Sequence, residues 1–144
     1  MDRKYWTLLV LASAAGGPLS PVQLQKSLFL VDRNLTRAQR GGGSFYSFRA
    51  YDYGPFDSAV YADAATLQTD GLAVITEPAA SHRTYSATPA GLEFAGPLRG
   101  ALDPEVVDYL DRVVAWVRSM PFTELVKAIY AQYPEMKANS IFRG

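Results

Sequence analysis

Two helical segments, an aromatic extended stretch, a third helix, a β-hairpin and a run of further helices follow one another along this chain. That order predicts an α+β fold, a winged helix-turn-helix with a β-hairpin wing and additional C-terminal helices. Three observations carry the prediction. Helix-opening residues stand at Ser20, Asp57, Thr88 and Asp103. Two strand-like runs, LAVITE and HRTYSAT, flank the short connection EPAAS. Val106, Leu110, Val113 and Val117 step by four, three and four residues, the spacing of one helix face. A length of 144 residues fits a single domain, with residues 1–95 as the winged-helix core and 96–144 as a C-terminal helical extension.

The elements follow in order. Arg3 to Ala15 reads as a first helix, ended by Gly16-Gly17. The charged start and apolar run of MDRKYWTLLVLASAAGG have the outline of a signal peptide, but Asp2, Tyr5 and Trp6 and the short apolar core favour a domain helix. Ser20 as N-cap, Pro21 at the first helical position and Gln23 at capping-box spacing open a second helix reaching about Leu35. TRAQRGGGS reads as a mobile loop, because three consecutive glycines hold regular structure poorly. FYSFRAYDY is expected to be extended, and Gly54-Pro55 punctuates it, with Gly54 free to take a positive φ. Asp57 caps a third helix, Ser58 to Thr69, stopped by Gly71. After the hairpin, Thr88 and Pro89 open a helix that Gly96-Pro97 is expected to break. Asp103 caps the next, begun by Pro104, and a last helix spans about Phe122 to Gln132. The connection between the second and third helices, Thr36 to Phe56, is about 20 residues, long for a helix-turn-helix.

Cysteine is absent and His82 is the one histidine, which excludes disulfides, thiol catalysis and Cys/His zinc sites. The absence of cysteine fits a reducing compartment, so a cytoplasmic location is expected. No apolar run approaches the ~20 residues of a membrane span. The formal charge is zero but unevenly spread. Residues 1–49 carry seven basic and two acidic side chains (+5), residues 50–80 five acidic and none basic (−5), and the remainder seven of each. This polarity implies either internal complementarity or a charged docking face.

The second helix contains LQKSLFLVD, Leu24 to Asp32; the aromatic segment contains YDYGPF, Tyr51 to Phe56. Val60-Tyr61 follows in the third helix, then DGL at Asp70 to Leu72 and YSATPAGLEF at Tyr85 to Phe94. In order and spacing these resemble the Panacea (SocA-like) antitoxin domain and related uncharacterised bacterial winged-helix proteins. The likeness covers roughly residues 5–95, and beyond it only bare helices remain. It implies a bacterial or phage origin and a partner-binding role, often toxin neutralisation, and transfers no catalytic residues.

The residues support the same class independently. The third helix holds Asp63 and is flanked by Asp57 and Asp70, without a Lys or Arg. Phosphate contacts from basic side chains dominate DNA affinity, so such a helix suits a duplex groove poorly. Its plain reading places Val60, Tyr61, Ala64, Ala65 and Leu67 inward and the aspartates in solvent. The expected function is a non-enzymatic regulatory protein-binding module, an antitoxin-like or phage-defence-type adaptor. Its partner-binding candidates are Tyr51, Tyr53, Phe56, Asp57, Asp63, Arg37 and Arg40. The alternative is a DNA-binding winged-helix transcription regulator contacting nucleic acid through Arg33, Arg37, Arg40, Arg49, His82 and Arg83. A homodimer through the helix around Val106 to Val117 is the competing use of a face that otherwise packs intramolecularly. Catalysis finds no assembled site: the pairs Asp52/Asp57 and Asp108/Asp111 are ordinary surface spacings, Ser13, Ser20 and Ser27 lie in helical or capping contexts, and the glycine triplet lacks a P-loop lysine. No cofactor or metal is expected.

Overall fold

The computed structural model describes residues 1–77 and 83–143. The described chain is α+β, with six α-helices and two small antiparallel hairpins. Helix α1 (Arg3–Ser13) stops where Ala15 and Gly16 turn to positive φ, 52° and 88°. Helix α2 (Pro21–Asn34) opens on the expected capping box: Gln23 N donates to Ser20 Oγ and Ser20 N to Gln23 Oε1, at 3.1 and 2.9 Å. The glycine-rich connection is a compact turn. Arg40 N donates to Thr36 O and Gly42 N to Arg37 O, while Thr36 and Gln39 exchange side-chain-to-backbone bonds.

The long connection then forms a hairpin of its own, β1 (Arg49–Tyr51) with β2 (Gly54–Phe56), in the register Arg49↔Phe56 to Tyr51↔Gly54. Gly54 adopts φ +109°, a conformation that side-chain-bearing residues rarely take. Helix α3 (Ala59–Thr69) is capped by Asp57, whose Oδ1 accepts from Ala59 N at 2.9 Å. It ends at Gly71, φ +77°. Strands β3 (Ala73–Thr76) and β4 (Thr84–Ala87) pair from Ala73↔Ala87 to Thr76↔Thr84. Leu19, just before α2, adds an antiparallel bridge to Tyr85, with both backbone bonds at 2.9 Å. The expected connection EPAAS and His82 fall partly or wholly at 78–82, outside the described residues.

Helix α4 (Pro89–Ala101) begins on Thr88, whose Oγ1 accepts from Gly91 N. It corrects the expected break: the helix runs through Gly96-Pro97. Proline removes one backbone donor, but Pro97 lies on the exposed side, where the orphaned Glu93 carbonyl can meet water. The following turn is held by Leu98 against the core and by Arg99, bidentate to Asp111 at 3.0 and 2.9 Å. Asp103 sits at the N-cap of α5 (Pro104–Arg118) but its side chain makes no cap bond; its backbone carbonyl accepts from Val106 N instead. Helix α6 (Phe122–Gln132) and a 3₁₀ turn, Pro134–Lys137, complete the chain.

Two hydrophobic clusters result. One gathers α1, α2, α3, the β3–β4 hairpin and the α5 residues Val106, Leu110 and Val114. The other joins Phe29 and Leu30 of α2 to Val113 and Val117 of α5 and to Leu125, Val126 and Ile129 of α6. Helix α5 therefore serves both clusters, with Val106, Leu110, Val113 and Val117 at 1, 0, 7 and 0% exposure. Of the two uses expected for the Val106 to Val117 face, packing within the chain is the one found: the face is covered by the same chain, not left open for the competing homodimer.

Candidate functional site

Three of the sequence-predicted site residues converge. Tyr51, Tyr53 and Phe56 line a half-open cleft of about 460 Å³, bounded by the β1–β2 hairpin, the start of α2, Tyr61 of α3 and Phe122 of α6. Hairpin geometry explains why. The tight Tyr51–Gly54 turn places two tyrosines at its tip, where they remain 45 and 39% exposed. Tyr51 stacks on Phe56 (centroids 4.8 Å apart, planes at 24°), and Tyr53 meets Phe122 edge-on at 5.1 Å. Phe56 in turn abuts Tyr61, which stacks on Tyr85. Burial pushes the Tyr61 hydroxyl up to about 12.

Beneath this aromatic rim lies Lys26, only 3% exposed. Its ammonium has one neighbour of hydrogen-bond type, the Pro55 carbonyl, at a long 3.5 Å. Among the described residues no carboxylate pairs with it, and burial alone pulls its pKa from 10.5 down to about 7. Gly54 is required here twice. Its φ is positive, and a Cβ would stand 3.3 Å from a Tyr130 ring carbon and 3.4 Å from Lys26 Nζ. Beside it, the Gln25 amide grips the backbone of Asp57 in both directions: Nε2 donates to Asp57 O at 2.9 Å and Oε1 accepts from Asp57 N at 3.1 Å. This clamp fixes the hairpin to α2 and so sets the cleft's width.

The remaining candidates are placed elsewhere. Asp57 spends both carboxylate oxygens on the backbone, at Ala59 N and Ser47 N. Asp63 is turned inward, not into solvent. It pairs with Arg3 at 2.9 and 3.2 Å and accepts from Tyr46 Oη at 2.6 Å, and Tyr46 also bonds Thr7. Burial and the neighbouring Asp63 carboxylate hold the Tyr46 hydroxyl protonated far above the usual tyrosine range. Asp70 lies 3.8 Å from Lys4. Ala65, expected inward, is exposed, since the buried stripe of α3 runs through Val60, Ala64 and Leu67 only.

Among the basic candidates, Arg33 pairs with Glu135 at 3.0 Å and lies over the Phe29 ring. Arg40 packs over Phe45 and approaches Asp32 at 3.8 Å, with its side chain only 14% exposed. Arg37 donates to Gly42 O across its own turn. Arg83 pairs with Glu77 at 2.6 Å. Arg49 is exposed, with no ion pair among the described residues. These cations do not form one surface patch around α3, and most are engaged within the chain.

Sequence reading missed Lys26, although it named the surrounding LQKS. The signal was available: Val22, Lys26, Phe29 and Leu30 fall on one helix face at i, i+4, i+7 and i+8, so a lysine occupies a core-facing place in an apolar row. Among the described residues no group of three or more acidic or histidine side chains could hold a metal ion, and no helix is long and apolar enough to cross a membrane. The chain matches no known protein family, and neither characterised proteins nor solved structures give a significant match.

Proposed function

We infer that this chain is a non-enzymatic regulatory module that works in the cytoplasm by binding another protein, as an antitoxin-like or phage-defence-type adaptor on a winged-helix scaffold. The resemblance of its LQKSLFLVD, YDYGPF and YSATPAGLEF segments to the Panacea (SocA-like) domain points the same way. The observation that carries the reading is the cleft itself: an exposed aromatic rim, Tyr51, Tyr53 and Phe122, around a desolvated floor. Large aromatics around a water-excluding pocket are the composition of interface hot spots. The module would act by occluding a working surface of its partner. Affinity purification from the native host tests it: a specific, stoichiometric partner, released by Tyr53→Ala, is expected. Recovery of the chain alone under conditions that preserve known complexes would reject the reading.

A second reading, a DNA-binding regulator, rests on the order of α2, α3 and the β3–β4 hairpin and on the exposed Arg49. Electrostatics oppose it. Helix α3 carries no base; its one acid, Asp63, pairs with Arg3, and Asp70 just beyond it lies 3.8 Å from Lys4. A mobility-shift titration separates the two, because specific DNA binding weakens steeply with salt.

A further inference from the structure

The cleft contains one feature that hydrophobic docking alone does not explain. An ammonium group buried in an aromatic pocket without an anion is unfavourable, and folded chains place such groups beside a counter-charge. Among the described residues Lys26 has none: its single hydrogen-bond neighbour is the Pro55 carbonyl at 3.5 Å, which engages one of its three donors. The arrangement is not an accident of slack packing. Gly54 packs close to the amine, since a Cβ there would stand 3.4 Å from Lys26 Nζ and 3.3 Å from the Tyr130 ring, and the Gln25 clamp holds the hairpin in place. A methionine would fill the same space without the charge.

We propose that the cleft takes an acidic segment of the partner protein, a Glu or Asp carboxylate seating on Lys26 Nζ while the neighbouring apolar residue packs against Tyr51, Tyr53 and Phe56. The proposal rests on the protein-binding reading above and specifies its chemistry. Charge complementarity selects an anion at the floor: Lys26 has no ion pair there among the described residues, and the one carboxylate in the lining, Asp52, stands half-buried at the hairpin turn and makes no ion pair with the amine. Openness selects a chain segment: the cleft is half-open, and the exposed rim aromatics Tyr51, Tyr53 and Phe122 carry its contact surface onto the outside of the fold, where a docked chain can continue. Displacing residual water from the ammonium and replacing it with a carboxylate gives the strong, charge-assisted type of hydrogen bond. The depressed proton affinity of Lys26 supports the same geometry, because an arriving anion restores the charged form.

The test uses the full chain and two capped probes, N-acetyl-Phe-Glu-amide and N-acetyl-Phe-Gln-amide, titrated by NMR. The expected result is shift changes confined to residues around Tyr51 to Phe56, Gln25 and Tyr61, with the Glu probe binding at least about tenfold tighter than the Gln probe. Lys26→Met, which removes the charge at matched volume, is expected to erase that preference while leaving weak aromatic binding. Tyr53→Ala is expected to weaken both probes alike and keep the preference. Equal binding of the two probes, a preference that survives Lys26→Met, or no shifts in the cleft up to roughly 10 mM probe would each overturn the proposal. Probe binding without any partner from the native host would instead reject the functional reading and leave the site standing.

Discussion

The Asp63 corner and the Lys26 cleft are both places where a charged group is taken from water, and they differ in every other respect. At Asp63 the charge is fully answered: Arg3 supplies two donors and Tyr46 a third. At Lys26 it is not: among the described residues one long contact to a carbonyl is its only hydrogen-bond partner. A satisfied buried charge adds cohesion and is costly to interrupt. An unsatisfied one lowers stability. The uneven charge of the sequence resolves in part along this line: Arg3 and Lys4 face Asp63 and Asp70, so much of the opposition between the two segments is internal.

The comparison can be broken by substitution, and the largest effect belongs to the satisfied corner. Asp63→Ala strands the Arg3 guanidinium and the Tyr46 hydroxyl and is expected to cost about 2–3 kcal/mol in urea denaturation. Combined with Tyr46→Phe the losses should fall short of their sum, because one network is being removed twice. Additive losses would show that the contacts act independently. Lys26→Met is expected to have the opposite sign, a gain of about 1–3 kcal/mol, since an apolar side chain of similar length replaces a desolvated charge. A destabilised Lys26→Met protein would mean that the ammonium is better satisfied than its contacts suggest.

The same group predicts a pH dependence whose sign is fixed. Unfolded, Lys26 holds its proton to 10.5; folded, only to about 7. Between those values the unfolded chain binds the extra proton, so the Lys26 contribution to stability rises with pH across the window. Below about 7 both states are protonated and the full penalty applies. The stability of the wild-type chain minus that of Lys26→Met, followed from pH 6 to 10, should therefore climb; a flat difference refutes it. Gly54→Ala, strained by a φ of +109° and by its tight approach to Tyr130, is expected to lose about 1–2 kcal/mol and to widen the cleft. Smallest is Asp70→Asn, below about 0.5 kcal/mol, because the Lys4 pair is long and solvent-exposed.

Local features were the legible part. The Ser20 capping box, the Asp57 cap, the positive φ of Gly54, the Gly71 stop and the four-three-four apolar row of α5 all depend on residues within a few positions of one another. So did the rim of the candidate site, since Tyr51, Tyr53 and Phe56 share one tight hairpin. The misreadings have a different origin. Helix α4 survives Gly96-Pro97 because Leu98 and Arg99 are anchored on other elements, which local propensity does not register. Asp63 was assigned to solvent because the sequence does not announce that Arg3, sixty positions away, stands opposite it. Lys26 is not marked out by its own helix, because its burial depends on the β1–β2 hairpin packing against α2.

The sequence by itself determined the order of the helices and the β3–β4 hairpin and the caps at Ser20, Asp57 and Thr88, because these are set by hydrogen bonds and dihedral preferences acting within a turn or two of the chain. Only the tertiary structure decided which charges meet a partner and which are left without one. Burial and pairing depend on elements brought together from distant parts of the chain: α1 with α3 at Asp63, and α2 with the β1–β2 hairpin and α6 at Lys26.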